Sequence, residues 1–399
     1  MYSSPTSLRI GIYGCGAIGM YIGTVLQKHS NCSVVYLVRS NRLKESIEQD
    51  AMESVNIVPM REDHFSIPLS ELDISTDPCR MKNCDIILVA VKSMDTEAVG
   101  TKLSSILPTD SDAIIISLQN GIKNASTLQA LLPNRRVLAG VVAFNVVKVN
   151  STFTQNTSGS LHIEKSPPSV NHGAAFTRTH LENLFVSILS STVPAIPKIH
   201  HDPSIKQTQY GKLLLNLVNA PIALSGKPTK EFILNPYYRL VSAECISEAL
   251  LVFHAAGIKP SRNATRLPPL LLPHLFRLPN QWYTLLVRGI MKIDPKSKPS
   301  MLQDLESDQY QTEIDFLQGE IVAIGKKYKV STPVNEMIHK EMSKVCKRRN
   351  GSPNLDANEL LLRAGVTKTI SMWYEILPLM VVGSLLGIAT VGGVKLATM

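Results

Sequence analysis

Short apolar runs alternate with helix-like stretches in the first half of the chain. Each of four such runs has the length of a buried strand: residues 8–13, 33–38, 85–91 and 113–117. Further strand-like segments follow between residues 137 and 163, and they are expected to finish the same sheet. Strands that alternate with helices predict a parallel sheet with helices on both faces. We therefore predict an α/β doubly wound domain over residues 1–200.

Helical spacing of apolar residues dominates from Tyr210 onward. The segments with this spacing are residues 212–224, 237–256, 281–290 and 309–328. Residues 194–203, with several Pro and His, are typical of a linker, and the Pro- and Leu-rich stretch 259–279 interrupts regular helix. The pattern predicts an all-α domain over residues 201–345, followed by a basic linker over residues 346–375.

The tail differs from everything before it, because residues 376–394 contain no charged side chain. About 20 residues are needed to cross a bilayer as a helix. Trp373 and Tyr374 flank one end of the run and Lys395 the other, as at membrane interfaces. The basic residues before the run predict that the two preceding domains lie in the cytoplasm and that a transmembrane helix tethers them to an intracellular membrane. Pro378 and four glycines favour the alternative, an apolar helix that packs on the helical domain or mediates dimerisation.

Composition and charge narrow the class of protein. The formal net charge is +9, with 41 Lys and Arg against 32 Asp and Glu, and this balance suits an anionic ligand or membrane surface. The basic residues are scattered and lack interleaved aromatics, which disfavours nucleic acid binding. Six cysteines without a CxxC pair, and no signal peptide, indicate a reduced, intracellular protein without a metal site.

A glycine motif follows the first predicted strand and opens the first predicted helix. Its residues are Gly14, Cys15, Gly16, Ala17, Ile18 and Gly19. In this context the first glycine makes a tight turn, the second admits a pyrophosphate to the backbone amides, and the third allows close helix packing. The helix N-terminus favours the negative charge. The motif predicts a bound dinucleotide, against the alternative of an ordinary glycine-rich turn.

The end of the second predicted strand indicates which dinucleotide is bound. An acidic residue there would accept from the ribose 2′-hydroxyl of NAD, whereas this chain has Arg39. A guanidinium suits bidentate contact with a 2′-phosphate, so NADP(H) is the predicted cofactor. The alternative for Arg39 is a solvated loop cation.

Two polar residues interrupt an otherwise apolar helix pattern in the second half. Lys212 and Asn216 are four residues apart and share one helix face. Burying them is unfavourable unless they line a cleft, which makes them candidate site residues. The alternative is a lysine that extends to solvent from the helix end.

Together with further motifs, these residues resemble the ketopantoate reductase family over residues 8–345. The resemblance is carried by the glycine motif at 14–19, Lys92, Gln119-Asn120-Gly121, and the segments 211–224, 299–304 and 311–320. It implies a Rossmann-type domain, a helical domain and an active site in the cleft between them. The implied activity is reduction of 2-dehydropantoate to (R)-pantoate with NADPH.

The resemblance also implies roles for individual residues. Lys212 would protonate the carbonyl oxygen as hydride arrives, and Glu313 would hydrogen-bond the substrate hydroxyl and lie beside the cofactor. Asn120 would orient both substrate and nicotinamide. The other expected contacts are Asn216 and Ser300 with the substrate, and Lys92 with the cofactor.

Three departures from the family pattern leave the substrate open. Asn219 stands one place earlier than is usual before the proline of the lysine helix, where this chain has Ala220. Tyr310-Gln311 replaces a basic or proline-containing pair, and residues 259–298 form a long insertion. Another 2-keto acid or ketone therefore stays an alternative substrate, and a membrane-tethered NADP-binding protein without turnover stays an alternative function. A homodimer is a further expectation.

Overall fold

The computed structural model describes residues 8–51, 53–165, 183, 185–188, 195, 199–265, 267–290, 297–307 and 310–367. The chain divides into two compact units. The first comprises Met1–Leu213 and Lys259–Arg266, and the second comprises Leu214–Ile258 and Leu267–Met399. The first unit thus extends past residue 200, and it includes a short segment from the stretch that the sequence assigned to the helical domain.

The first unit is built on an eight-stranded sheet. Its strands are β1 (Arg9–Tyr13), β2 (Ser33–Leu37), β5 (Asp73–Ser75), β6 (Ile86–Val89), β7 (Ile114–Ser117), β8 (Arg136–Val142), β11 (Leu161–Glu164) and β12 (Ile199–Asp202). They are ordered β12-β11-β8-β7-β6-β1-β2-β5. All neighbours from β5 to β8 are parallel, and only β11 runs antiparallel to β8. The predicted doubly wound α/β architecture is confirmed.

The two faces of this sheet bury separate apolar cores. Ile86 and Leu88 of β6 pack in one core with helix α1 (Ala17–His29), whereas Ile87 and Val89 pack in the other. Side chains alternate between faces along a strand, so a central strand covered on both sides is apolar throughout. The other described helices of this part are α2 (Asn41–Ala51), α3 (Thr96–Ile106) and α4 (Asn124–Leu131).

A second, four-stranded sheet was not expected from the sequence. It consists of β3 (Ser54–Val58), β4 (Phe65–Pro68), β9 (Val146–Val149) and β10 (Thr152–Gln155), in the order β4-β3-β10-β9. The expectation that residues 137–163 all finish the main sheet is therefore wrong for β9 and β10. The linker expected at residues 194–203 is also wrong in part, because β12 lies there and pairs with β11.

Ten further described helices follow, and the second unit is helical as predicted. They are α5 (Ile205–Asn216), α6 (Asn219–Ser225), α7 (Thr229–Leu234), α8 (Pro236–Ala255), α9 (Leu272–Arg277), α10 (Asn280–Ile290), α11 (Ser300–Glu306), α12 (Gln318–Tyr328), α13 (Pro333–Arg348) and, last, α14 (Ala357–Ala364). The long helix α8 is the centre of the helical unit, since α9, α12, α13 and α14 all pack against it.

The predicted helix over residues 212–224 is broken in the structure. Helix α5 ends at Asn216 and α6 begins at Asn219. Pro221 has no N–H to donate to the carbonyl of Leu217 four residues earlier, and its ring would clash with that carbonyl in a continuous helix. The buried side chain of Gln318 satisfies this oxygen instead, with Nε2 donating to Leu217 O at 2.7 Å.

The insertion at residues 259–298 is held by a buried arginine. Arg239 of α8 is fully buried and stacks over the Tyr283 ring at 4.1 Å. Its guanidinium donates to Phe276 O, Leu278 O and Asn280 Oδ1 at 2.6 to 3.1 Å. Burial lowers the pKa of Arg239 to about 10. The guanidinium thus fixes the connection between α9 and α10 through neutral acceptors.

The expected basic linker over residues 346–375 is not borne out in its described part. Helix α13 continues to Arg348, and α14 packs on α8 with Leu360 and Leu361 buried. The predicted transmembrane segment, residues 376–394, lies outside the described residues. Among the helices that the structure describes, none is long and apolar enough to cross a membrane.

Candidate functional site

The three glycines of the loop between β1 and α1 have different surroundings. Gly14 has φ +110°, and a Cβ there would lie 2.8 Å from the backbone nitrogen of Val91. A Cβ on Gly19 would overlap the carbonyl oxygen of Gly14. At Gly16 a Cβ would meet nothing within 4 Å. The loop is therefore closed by Gly14 and Gly19, while Gly16 opens onto free space.

Backbone contacts anchor this loop to the end of β2. Gly14 N donates to Leu37 O at 3.1 Å, and the Cys15 thiol approaches the same oxygen at 3.5 Å. Burial raises the pKa of Cys15, so its thiol stays protonated and offers no nucleophile. Within the described chain α1 has neither an acidic residue in its first turn nor a side-chain cap at Gly16. Its first N–H groups can thus receive an anion, which fits a dinucleotide pyrophosphate.

Arg39 lies just beyond the carboxyl end of β2. Tyr13 and Leu37 are paired residues of the parallel strands β1 and β2, so the glycine loop and Arg39 leave the same edge of the sheet. The Arg39 side chain is exposed. The edge at the carboxyl ends of parallel strands is where doubly wound folds bind their ligands.

Lys92 and Asn120 follow the neighbouring strands β6 and β7, and a buried glutamine ties their turns together. Gln119 Nε2 donates to Thr96 Oγ1 at 2.7 Å and to Lys92 O at 3.4 Å. Its Oε1 accepts from Ser117 Oγ at 3.0 Å. The resemblance pointed to the segment around Gln119, but not to this role.

Asn124 completes the same network, and reasoning from the sequence missed it. Its Nδ2 donates to Ser93 Oγ at 3.0 Å and to Asn120 O, and its Oδ1 accepts from Thr96 Oγ1 at 2.9 Å. Ser93 Oγ also donates to Asn120 O at 2.9 Å. These interior bonds fix the backbone that presents Lys92 and Asn120. The only available signal was a cluster of polar residues beside buried strands.

Helix α5 places two lysines against the carboxyl ends of β7 and β8. Lys212 Nζ donates to Val142 O, the last residue of β8. Lys206 Nζ donates to Ile122 O, just after the turn that carries Asn120. The Lys212 ammonium is half-buried at the edge of the sheet where the glycine loop also begins. A half-buried cation at this edge can stabilise negative charge that develops on a ligand.

The remaining expected site residues belong to the helical unit. Asn216 is the last residue of α5 and is buried. Ser300 is the exposed first residue of α11. Glu313 is half-buried and precedes a short 3₁₀ turn, Ile314–Phe316. Each of the three residues thus lies at or next to one end of a helical segment.

A cavity of about 380 Å³ within the helical unit contains none of these residues. The charged residues of its lining are Glu244, Glu248 and Arg277. Glu248 accepts from the backbone of Val334 and Asn335, and Arg277 donates to Glu244 at 2.5 Å. Among the described residues, no group of three or more His, Cys, Asp and Glu side chains could hold a metal ion.

The fold and the glycine loop define a class of protein. It has an α/β unit, whose first strand, turn and helix are of the dinucleotide-binding type, and a helical second unit. Comparison with known families then specifies the class. Residues 10–168 match the family model of ketopantoate reductase PanE/ApbA, and residues 204–345 match the model of its C-terminal domain. The chain belongs to the ketopantoate reductase family.

Individual relatives share this architecture at low identity. A 2-dehydropantoate 2-reductase of Halobacterium salinarum is 21% identical over 334 residues, which cover 82% of this chain and 95% of the relative. The crystal structure of a PanE/ApbA family ketopantoate reductase from Ralstonia eutropha JMP134 has a TM-score of 0.65 at 23% identity, covering 86% of this chain and 99% of that one.

A second solved structure has the same fold and another substrate. D-mandelate dehydrogenase, solved as a ternary complex with NADH and anilino(oxo)acetate, has a TM-score of 0.65 at 19% identity and covers 86% of this chain and all of its own. Family members are oxidoreductases that act on a keto or CH–OH group, and this chain is an oxidoreductase of that class. The alternative of a nucleotide-binding protein without turnover is not supported.

Proposed function

We propose that this protein reduces 2-dehydropantoate to (R)-pantoate with NADPH. One observation carries the proposal: the Lys212 ammonium is held at the carboxyl edge of the sheet, on Val142 O, where the open Gly16 loop also lies. The residues present fit a pyridine dinucleotide, because Gly16 leaves room for a pyrophosphate and the N-terminus of α1 is uncapped in the described chain. When bound, NADPH would supply the hydride.

Lys212 would supply the proton. The carbonyl carbon of a 2-keto acid gains a hydride and its oxygen gains a proton, so a positioned acid must neutralise the developing alkoxide. The ammonium of Lys212 now donates to a backbone carbonyl, a bond that it can exchange for one to the substrate oxygen. Lys212 is then left neutral and regains its proton from solvent.

The other expected residues would bind and orient. In this proposal Glu313 accepts a hydrogen bond from the substrate hydroxyl, and Ser300 binds the substrate carboxylate. Asn120 and Asn216 orient the substrate. Ser300 suits its role because it is exposed at the N-terminus of α11, where the helix dipole favours an anion. Lys92 would contact the cofactor beside the Gln119 network.

The choice of NADPH over NADH rests on Arg39. This exposed guanidinium follows β2 with no carboxylate at the strand end, which favours a 2′-phosphate. The Arg39→Ala variant should bind NADPH about tenfold to a hundredfold more weakly and NADH with unchanged affinity. Equal turnover of the unmodified protein with the two cofactors would contradict the assignment.

The decisive experiment is NADPH oxidation by the purified protein across a panel of 2-keto acids. Lys212→Ala should lower kcat by roughly a hundredfold or more while NADPH affinity stays unchanged, because the ammonium acts at the substrate carbonyl. Lys102→Ala, a change at an exposed position of α3, is the matched control and should keep full activity. Near-full turnover of Lys212→Ala would show that the proton donor lies elsewhere.

A second candidate is reduction of another 2-keto acid by the same residues. D-mandelate dehydrogenase shares the fold, while Ala220 and the insertion that contains α9 and α10 depart from the family pattern. The panel should therefore include aryl 2-keto acids alongside 2-dehydropantoate. A kcat/KM at least tenfold higher for an aryl acid would favour this candidate.

A further inference from the structure

A buried carboxylate joins three segments at the start of the lysine helix. Asp202, the last residue of β12, is 3% exposed. Its Oδ1 accepts from Ser204 N at 2.8 Å, and its Oδ2 accepts from Thr208 Oγ1 at 2.5 Å. Asn263 Nδ2, from the returning segment Lys259–Arg266, lies 3.3 Å from the same Oδ2. One side chain thus ties β12, α5 and this segment together.

This connection determines how α5 is oriented. Thr208, which is fully buried, and Lys212 are four residues apart, so they project from nearly the same face of the helix. The segment adds two constraints, because Ser261 N donates to Gln207 O at 2.9 Å and a Cβ at Gly211 would overlap Ser261 O. With Thr208 fixed by Asp202, the rotation of α5 about its axis, and hence the direction of Lys212, is fixed as well.

A histidine with unsatisfied nitrogens lies beside this carboxylate. His162 of β11 is 4% exposed, and in the described chain neither ring nitrogen has a hydrogen-bond partner. Its Nδ1 is 3.4 Å from Asp202 Oδ2, and its ring stacks on His200 with centroids 4.9 Å apart. The neutral ring can place its single N–H on Nδ1 and reach Asp202 only at this long distance, whereas protonation adds a positive charge that strengthens the pairing with the Asp202 carboxylate.

The groups around His162 determine the pH at which its ring takes up a proton. From β12 it faces His200 and Asp202, which are titratable, whereas β8 places the apolar Val141 opposite it. Burial, followed by the neighbouring His200, lowers the pKa of His162, and Asp202 opposes this. The ring is therefore neutral above its ordinary pKa of about 6.5 and takes up a proton only as the pH falls below that value.

We propose that Asp202 and His162 are positioning residues for Lys212, and that protonation of His162 releases the orientation of α5. The imidazolium competes with Thr208 and Asn263 for Asp202 Oδ2, so the contact that fixes α5 weakens. The inference rests on the proposed role of Lys212 as proton donor. It adds that kcat falls at acidic pH because His162 is protonated, independently of the titration of Lys212 itself.

The first test is the pH profile of kcat. The unmodified protein should lose at least tenfold in kcat between pH 7 and 5 while its KM for NADPH changes less than twofold. His162→Phe, which keeps an aromatic ring on His200 but cannot titrate, should remove this acid limb. His254→Gln, a change at an exposed position of α8, is the control and should retain it. An unchanged acid limb in His162→Phe overturns the proposal.

The second test breaks the contact with α5 directly. Thr208→Val keeps the shape and burial of the side chain but removes the hydroxyl, and should lower kcat about tenfold with KM for NADPH within twofold. Thr208→Ser keeps the hydroxyl and should restore kcat. Equal kcat in the two variants would contradict the role of the Asp202 contact.

A third measurement needs no turnover and separates this inference from the proposed function. In protein labelled at the lysine Cε, the NMR signal of Lys212, assigned by its loss in Lys212→Arg, should shift with the same midpoint as the His162 ring. His162→Phe should abolish that shift. A coupled titration in a protein that reduces no 2-keto acid supports the coupling and refutes the function. Turnover without the coupled shift overturns the coupling alone.

Discussion

At the scale of single residues, three glycines of one motif have different physical tasks. Gly14 is required for its left-handed backbone and its contact with Val91, and Gly19 for the approach of α1 to the loop. A Cβ on Gly16 would contact no protein atom within 4 Å, so neither the backbone conformation nor packing within the protein requires a glycine there. What it provides is space for a ligand at the N-terminus of α1.

This difference gives a prediction for two alanine variants. Gly16→Ala should unfold within a few degrees of the unmodified protein but bind NADPH at least tenfold more weakly, because the methyl group occupies the open space. Gly14→Ala should be destabilised by about 1–3 kcal/mol, because alanine is strained at φ +110° and its methyl would contact Val91 N. Thermal unfolding and a fluorescence titration with NADPH measure the two effects. Tight NADPH binding by Gly16→Ala would contradict the assignment of the loop.

At the scale of elements, the junction between α5 and α6 shows how a local signal acts through a distant partner. Pro221 ends helical hydrogen bonding around Leu217, whereas the sequence pattern predicts one helix over residues 212–224. The structure shows that the carbonyl of Leu217, which lacks a helical donor, is bound by Gln318, 101 residues away in the chain. The glutamine is buried because it replaces a backbone donor inside the core.

The two residues should therefore be energetically coupled. Gln318→Met keeps the volume but leaves Leu217 O unsatisfied, and should lower the free energy of unfolding by about 1–3 kcal/mol. In a Pro221→Ala background residue 221 regains an N–H that can bond Leu217 O, so the same change should cost less. Urea unfolding of the four proteins of this double-mutant cycle measures the coupling. Additive losses would mean that the two residues act independently.

At the scale of the whole molecule, the order of segments in the chain differs from their grouping in space. The first unit receives the segment Lys259–Arg266 after the chain has already entered the second unit. Asn263 and Ser261 use this return to hold the start of α5. A truncation that keeps only residues 1–213 would lose these bonds.

A further expectation for the whole chain comes from the sequence of its tail, which lies outside the described residues. The uncharged run 376–394 predicts that full-length protein stays in the membrane fraction after carbonate extraction of cells. A chain ending at Thr367 should be released to the supernatant, and should reduce its substrate at the same rate. Full-length protein that is released like the truncated form would rule out the membrane anchor.

The sequence by itself determined the elements whose signal is local. The apolar runs of β1, β2, β6 and β7, the glycine turn after β1 and the helical spacing of α8 follow from periodicity and turn chemistry, which need no distant partner. The resemblance added the family, which the comparisons confirm. Lys212 and Asn216 are candidate site residues from the sequence because burying polar side chains on an apolar helix is unfavourable unless they line a cleft.

Only the tertiary structure decided which segments pair. Strands β9 and β10 follow β8 closely in the chain, yet they join a second sheet, because strand propensity does not specify a partner. The polar residues Asn124 and Asp202 resemble surface residues in sequence, and they become buried hubs only when strands and helices far apart in the chain bring their donors together. Hydrogen bonds between distant residues depend on that assembly, and so they leave no periodic trace in the sequence.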